Sequence, residues 1–239
     1  MDISEIRDLN TSPRFLLGPG PSMVAPRVYR ALSAPLVGHL DPEFLQLMQE
    51  VQKLLRYVFQ TENELTVPIS GTGSAGMEAS LCNFIEPGDR VLVAILGYFG
   101  ERMFEMAGRY GAQVDRIEKP WGQVFDVDEI KSALGKNKYK LLAMVHAETS
   151  TGAWQPGIAD IAAAAHQAGT LLVLDTVTSL GGLPVEIDAW DVDIAYSGTQ
   201  KCISATPGLA PLTISPRARD ILRSRQTPVR NWYLDLTML

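Results

Sequence analysis

The sequence SGTGSAGMEAS (residues 70–80) follows an apolar run and leads into a helical pattern. Its glycines Gly71, Gly73 and Gly76 have the spacing G-x-G-x-x-G, which is typical of a tight turn between a strand and a helix. Free N–H groups at the start of a helix, with the positive end of the helix dipole behind them, favour a phosphate group. The stretch predicts a strand-turn-helix unit that either binds an anion or serves as a plain turn.

From about residue 60 onward, apolar runs of strand length alternate with helical patterns. The predicted strands lie at residues 64–70, 90–96, 112–118, 140–146, 171–175, 192–197 and 209–215. The predicted helices between and after them lie at residues 74–85, 98–111, 126–135 and 158–169, with a last one beginning at Ser215 and Pro216. Strands this apolar, separated by helices, predict an α/β fold with a mostly parallel sheet covered by helices on both faces.

The first 60 residues have a different pattern. A stretch rich in proline and glycine, LLGPGPSMVAPRV, precedes one long helical pattern at residues 41–59. No linker divides the rest of the chain. We expect an N-terminal arm at residues 1–25 that lines a substrate entrance, followed by one large domain at residues 26–239.

Composition excludes several classes of protein. The 239 residues are 46% hydrophobic and 20% charged with a net charge of −6, and no block of like charges favours nucleic acid or a membrane surface as a partner. No apolar run reaches the roughly 18 residues that a membrane span needs. Cys82 and Cys202 form no C-x-x-C pair, and the three histidines lack metal-ligand spacing. We expect a cytoplasmic protein with reduced thiols and without a bound metal.

The glycine spacing also occurs in dinucleotide-binding proteins. Those proteins carry an acidic residue about 20 positions further on, at the end of the second strand, where it binds the ribose hydroxyls. Here the second strand ends in AILGYFG, which has no acidic residue. The sequence therefore argues against NAD and leaves the anion site for another cofactor.

Two charged residues follow later strands. Asp175 ends the apolar run LLVLD, and Lys201 lies 26 residues further on, just after a short strand. Ligands bind at the carboxyl edge of open α/β sheets, so both side chains belong at that edge with the glycine turn. A lysine for a Schiff base, a carboxylate that keeps a ring nitrogen protonated and a phosphate cradle together indicate pyridoxal 5'-phosphate.

Five motifs in this order resemble one family: SGTGSAGMEA, LGYFGERM, HAETSTG, LDTVTSLGG and YSGTQKCISATPG. The chain is similar, from about residue 14 to residue 239, to the class V pyridoxal-phosphate aminotransferases, in the branch of alanine–glyoxylate, serine–glyoxylate and serine–pyruvate aminotransferases. The resemblance implies the large domain of the fold-type-I architecture and a homodimer. It also implies transfer of an amino group from alanine or serine to glyoxylate or pyruvate.

The resemblance also implies roles for individual residues. Lys201 would form the Schiff base and move a proton, and Asp175 would pair with the pyridine nitrogen. Other cofactor contacts would come from residues at the phosphate, at the two ring faces and at the phenolic oxygen: Thr72, Gly73, Ser74 and Gln200; Phe99 and Val177; and Ser150. Gly20, in the arm segment GPGPS, and Ser150 would contact the substrate.

Two alternatives remain at this point. One is another class V enzyme, a cysteine desulfurase or a lyase, although desulfurases carry histidine where this chain has Phe99 and Gln200. The other is a catalytically incomplete cofactor-binding fragment or assembly subunit. The resemblance implies a smaller C-terminal domain whose arginine binds the substrate carboxylate, and we expect the 239 residues to lack that domain. We expect the 239-residue chain to bind the cofactor but to transaminate poorly by itself.

Overall fold

A computed structural model describes residue 9 and residues 11–239. The strands are β1 (Leu65–Ser70), β2 (Arg90–Ile95), β3 (Gln113–Glu118), β4 (Leu141–Val145), β5 (Leu171–Asp175), β6 (Ile194–Tyr196) and β7 (Leu209–Ile214). The α-helices are α1 (Pro26–Leu32), α2 (Pro42–Phe59), α3 (Gly73–Cys82), α4 (Tyr98–Arg109), α5 (Val127–Leu134), α6 (Ile158–Gln167) and α7 (Pro216–Arg223).

The helix ends follow local signals that the sequence carries. Asp126 and Glu129 form a reciprocal capping box at the start of α5. The Ser215 hydroxyl accepts a hydrogen bond from the Ala218 N–H at the start of α7, where Pro216 occupies the first helical position. Gly111, just past the end of α4, has a φ of 91°, a conformation that glycine adopts without steric cost. Helix α1 was not predicted, because its seven residues are too few for a clear period.

The seven strands form one sheet in the order β1-β7-β6-β5-β4-β2-β3. The pairs β2–β3, β2–β4, β4–β5 and β5–β6 are parallel, whereas β7 is antiparallel to both β6 and β1. The prediction of a mostly parallel sheet is confirmed. Since β7 is antiparallel to both of its neighbours, β1 runs in the same direction as β6. The carboxyl end of β1 therefore lies at the same edge of the sheet as those of β2, β4, β5 and β6.

Alternate residues of the central strands enter two separate cores. Val91, Val93 and Ile95 of β2 pack on the side of α3, α4 and α7. Leu92 and Ala94 of the same strand pack on the side of α5 and α6. Successive side chains of a strand point to opposite faces, so a strand buried on both faces has an unbroken apolar sequence. This arrangement leaves the loops at the carboxyl edge free to hold polar side chains.

The division into an arm at residues 1–25 and a domain at residues 26–239 stays a prediction. Residues 1–8 and 10 of that arm lie outside the described residues. Among the described helices, none combines the length and the apolar character needed to cross a bilayer.

Candidate active site

The glycine turn brings helix α3 close to the sheet. Gly71 has a φ of 135°, and a Cβ atom on Gly76 would lie 3.1 Å from side-chain atoms of both Tyr196 and Ala210. A Cβ atom on Gly73 would lie only 2.8 Å from a methyl carbon of Val177. The three glycines therefore serve the turn and the close packing of helix against strand. The first N–H groups of α3, which have no partner within the helix, lie at the carboxyl end of β1.

The polar groups around the start of α3 suit an anion. Thr72 is the N-cap residue, but its side chain makes no capping hydrogen bond. The Arg102 guanidinium donates to the Ser74 hydroxyl at 2.9 Å, which brings a positive charge to this helix start. Gln200 also lies near the start of α3. A Cβ atom on Gly198 would be 2.9 Å from Gln200 Oε1 and 3.4 Å from the Gly73 Cα, so both groups border the same small space.

Asp175 is held rigidly at the end of β5. The carboxyl group accepts hydrogen bonds from the Val177 N–H at 2.8 Å and from the Tyr196 hydroxyl at 2.6 Å. Burial raises the pKa of Asp175 to about 6, against the lowering effect of these two hydrogen bonds and of the Arg102 charge. A buried carboxyl group with this pKa favours a cationic partner, such as a protonated ring nitrogen.

Lys201 lies in the loop after β6. Its Nζ donates a hydrogen bond to the Pro19 carbonyl oxygen at 2.5 Å. Burial lowers the pKa of Lys201, and the negative charge of Asp175 partly offsets this effect. A lower pKa raises the fraction of neutral amine, which is the form that attacks a carbonyl carbon and accepts a proton.

The described part of the N-terminal arm contacts this lysine directly. The Ser22 N–H donates to the Gln200 carbonyl oxygen at 2.8 Å, and the Ser22 hydroxyl donates to the Lys201 carbonyl oxygen at 2.7 Å. Gly20 packs against the lysine side chain with a φ of 131°. The arm therefore forms one wall of the space around Lys201.

We expect Gly20→Ala to lower kcat/KM of the full-length protein by about 10- to 100-fold, because the alanine displaces the arm from Lys201. The added Cβ atom would lie 2.7 Å from Lys201 Cδ and 2.8 Å from Nζ. The positive φ adds strain of about 1–2 kcal/mol. Gly18→Ala is the matched control, since its Cβ atom meets nothing within 4 Å. Equal losses in both variants would contradict the prediction.

Phe99 lies at the start of α4, in the segment that follows the carboxyl end of β2. Its ring packs edge-to-face with Tyr98 at 5.7 Å between centroids, and the Arg102 guanidinium lies 4.9 Å from its centroid. Val177 contacts the start of α3, as described above. Phe99 is linked to the start of α3 through Arg102, and Val177 contacts it directly. Their assignment to the two faces of a cofactor ring stays a prediction.

The loop that carries Ser150 meets the neighbouring loop through hydroxyl groups. The Thr149 and Thr178 hydroxyls lie 2.5 Å apart, so the loop after β4 touches the loop after β5. The Cys202 thiol, next to Lys201, donates to the Thr178 carbonyl oxygen at 3.3 Å. These contacts bring the loops of Ser150, Asp175 and Lys201 together.

Three residues of this site were not assigned from the sequence: Tyr196, Glu148 and Arg102. Tyr196 lies in the quoted motif YSGTQK, and Glu148 lies in HAETSTG directly after β4. Their position at strand ends was the available signal. His146, directly after β4, is buried. Its Nδ1 lies 2.9 Å from the Ser179 hydroxyl oxygen, and the Trp154 indole N–H donates to its Nε2 at 3.0 Å. Burial lowers the pKa of His146 to about 4, so it is a neutral structural residue.

Tyr196→Phe is expected to raise the pKa of Asp175 above about 6 by roughly one pH unit or more, because a hydrogen-bond donor to the charged form is lost. Carboxyl carbon NMR of the protein without cofactor measures this pKa. Tyr139→Phe is the control, since the Tyr139 hydroxyl donates to Asp115 at 2.8 Å, on another part of the sheet. An unchanged pKa of Asp175 in Tyr196→Phe would refute the assigned role of the hydroxyl.

An amine, a buried carboxyl group and a helix start suited to an anion, all at one edge of a mostly parallel sheet, fit a phosphate-bearing carbonyl cofactor. A profile of the family described as aminotransferase class V matches residues 15–227. The chain belongs to the class V aminotransferase family.

Similar proteins carry related names. A (S)-ureidoglycine–glyoxylate transaminase from Bacillus subtilis is 44% identical over 92% of this chain and 53% of its own length. An alanine–glyoxylate aminotransferase from Drosophila melanogaster is 41% identical over 98% of this chain and 59% of its own length. The crystal structure of an alanine–glyoxylate aminotransferase from Nostoc sp. has 52% identity and a TM-score of 0.95, over 100% of this chain and 64% of that one.

The fold is therefore the fold-type-I architecture of the pyridoxal-phosphate aminotransferases, as the sequence predicts. The chain spans between about half and two thirds of the length of these relatives. Their names do not favour the desulfurase or lyase alternative.

Family membership implies pyridoxal phosphate as the cofactor, and the residues present fit it. Within the described residues, Gln200 Oε1 is buried without a hydrogen-bond partner, beside the start of α3. The oxygen and the nitrogen of a side-chain amide are told apart only by their surroundings. With the Gln200 amide turned by 180°, its NH₂ group takes the place of Oε1 and can donate to a phosphate oxygen. The same sheet edge also carries the Asp175 carboxyl group and the Lys201 amine, which are groups of the kinds that the ring nitrogen and the aldehyde of this cofactor require.

Proposed function

We propose that this chain is part of a pyridoxal-phosphate aminotransferase that uses glyoxylate as amino acceptor and alanine or serine as donor. The observation that supports it most directly is the placement of Lys201 and the buried Asp175 at one sheet edge, where the Asp175 charge acts on the lysine amine. The names of the three relatives differ in the amino donor but share glyoxylate.

The proposed roles follow from the geometry of the chain. The start of α3, with Thr72, Gly73, Ser74 and Gln200, would hold the phosphate, and Phe99 and Val177 would face the ring. When bound, the cofactor supplies a ring that withdraws electrons from the substrate carbon. Asp175 would keep the ring nitrogen protonated, since a carboxylate stabilises a nearby cation. Lys201 would hold the cofactor covalently through Nζ and move a proton at the substrate carbon, with the arm at Gly20 shielding it from water.

Amino-donor screening of the full-length protein with glyoxylate tests this function. Alanine, serine and (S)-ureidoglycine are supplied in turn, and glycine formation is measured. We expect turnover with glyoxylate and at least one of these donors. Release of sulfide from cysteine without glycine formation would contradict the proposal and favour a desulfurase.

We further propose that the protein is a homodimer. Apolar side chains of the N-terminal region are exposed: Leu17 is 93% exposed, Leu36 101% and Leu40 78%. Exposed apolar patches of this kind mark interaction surfaces. Light scattering of the full-length protein tests the proposal, and a monomeric mass at micromolar concentration would contradict it.

A cytoplasmic location is proposed as well, supported by Cys82 and Cys202, which form no disulfide.

A further inference from the structure

Glu148 is a buried carboxyl group directly after β4, with an exposed fraction of 1%. Its Oε2 accepts hydrogen bonds from the N–H groups of Phe99 and Gly100 at 3.2 and 3.3 Å. Its Oε1 accepts from the Ser150 N–H at 3.1 Å and from the Ser150 hydroxyl at 2.7 Å. All four partners are donors, so the group acts as a carboxylate with its lone pairs in use.

Glu148 and Ser150 together cap helix α4 from a distant part of the chain. Gly97 is the N-cap residue and has no side chain to cap the helix. The Tyr98 N–H instead donates to the Ser150 hydroxyl oxygen at 2.9 Å, and the next two N–H groups donate to Glu148. A Cβ atom on Gly97 would lie 2.5 Å from Ser150 Oγ and 2.7 Å from Glu148 Cγ. The glycine therefore allows the two segments to meet.

This cap determines where the hydrogen of Ser150 points. The Tyr98 N–H occupies one lone pair of the Ser150 oxygen. The hydroxyl hydrogen points to Glu148 Oε1, because a carboxylate offers no hydrogen of its own. One lone pair of the Ser150 oxygen remains for a ligand. Ser150 is thus a hydrogen-bond acceptor toward the site.

We infer that Glu148 is a positioning residue that fixes the start of α4, which carries Phe99, and turns Ser150 into an acceptor for the amino group of the substrate. The identity of that ligand rests on the proposed function, whereas the cap does not. A charged carboxylate strengthens both parts, since hydrogen bonds to an ionised acceptor are about twice as strong as neutral ones and an anion at a helix start is stabilised by the dipole.

Glu148→Gln tests the positioning role. An amide has one acceptor oxygen and one donor group, so it cannot accept from both the α4 N–H groups and Ser150. In the full-length protein without cofactor, we expect hydrogen exchange at the amides of Phe99 and Gly100 to accelerate by about tenfold or more. In Ser150→Ala, exchange should accelerate at Tyr98 while Phe99 and Gly100 stay protected. Glu105→Gln, at an exposed acid further along α4, is the control and should change none of these rates.

Steady-state kinetics test the acceptor role of Ser150. Glu148→Gln and Ser150→Ala are each expected to raise KM for the amino donor by about 10- to 100-fold, with a smaller effect on KM for glyoxylate, which has no amino group. The double variant should be no worse than the worse single variant, because both remove one interaction.

Three results would overturn the inference. They are unchanged exchange at Phe99 and Gly100 in Glu148→Gln, equal increases of KM for both substrates, and additive losses in the double variant. If Glu148→Gln does not fold, Ser150→Ala decides on the same two measurements. Absence of turnover in the unaltered protein would contradict the proposed function instead, and the exchange measurement would still decide whether Glu148 caps the helix.

Discussion

Lys201→Ala is expected to lower kcat/KM for transamination of the full-length protein by at least about 10³-fold. The alanine removes the amine that we propose both to hold the cofactor covalently and to move the proton, and proton transfer by a positioned group alone contributes about 10²- to 10⁴-fold. Non-covalent cofactor binding should persist, because the proposed phosphate contacts of Gly73 and Gln200 do not involve the lysine side chain. Borohydride treatment followed by mass spectrometry should trap the cofactor on the unaltered protein and not on the variant.

Lys131→Ala provides the control for this variant. Lys131 lies on helix α5, half-exposed, with Asp128 as its ion-pair partner, and it is remote from the carboxyl-edge loops. We expect unchanged turnover and normal trapping at Lys201. Borohydride trapping at another lysine in Lys201→Ala, or turnover within tenfold of the unaltered protein, would remove Lys201 from its proposed role.

Asp175→Asn is expected to have the second largest effect and to change activity and stability in opposite directions. An amide carries no charge to keep a ring nitrogen protonated, so kcat should fall by about 10²-fold or more. The same substitution removes a buried carboxyl group whose pKa is raised to about 6 by burial. The protein without cofactor should therefore become more stable near pH 8.

The pH dependence of this stability effect follows from the direction of the shift. The pKa of Asp175 in the folded protein, about 6, lies above the ordinary value of 3.8. The folded state binds the proton more tightly, so its contribution to stability is full below pH 3.8 and is lost as the pH rises through 6. Above that pH the buried charge lowers the free energy of unfolding by about 3 kcal/mol, and the neutral asparagine avoids this loss.

Urea unfolding of both proteins without cofactor at pH 5 and pH 8 measures this difference. At pH 8 we expect the free energy of unfolding of Asp175→Asn to exceed that of the unaltered protein by up to about 3 kcal/mol. At pH 5 the difference should be smaller, because the unaltered protein loses stability between pH 5 and pH 8. Equal free energies of unfolding of the two proteins at pH 8 would contradict the prediction, because they would show that the buried Asp175 charge does not destabilise the folded state. Such a trade between stability and activity is common at active sites.

Local patterns predicted most elements of the fold. The apolar runs that became β2, β4 and β5 are buried on both faces, and such strands carry an unbroken apolar signal. Gly111 and the Asp126–Glu129 box mark helix ends by local backbone and side-chain rules. Helix α1 was missed because two turns leave little periodic signal.

The roles of the glycine run were only partly visible. Its spacing matched a dinucleotide fingerprint as well as an anion site for another cofactor, since both use a free helix start. The structure shows that Gly76 allows α3 to approach Tyr196 and that Gly73 allows it to approach Val177. Those neighbours are more than one hundred residues away in the chain, so the pattern could not specify them.

By itself the sequence determined the alternation of strands and helices, the glycine turn, and the placement of Asp175 at the end of one strand and of Lys201 after the next. These features depend on burial and on turns among neighbouring residues. Tertiary structure alone decided that β7 lies antiparallel between β1 and β6, that Tyr196 binds Asp175, and that Glu148 and Ser150 cap α4. Hydrogen bonds between distant segments depend on strand order, which a local hydrophobic period does not encode.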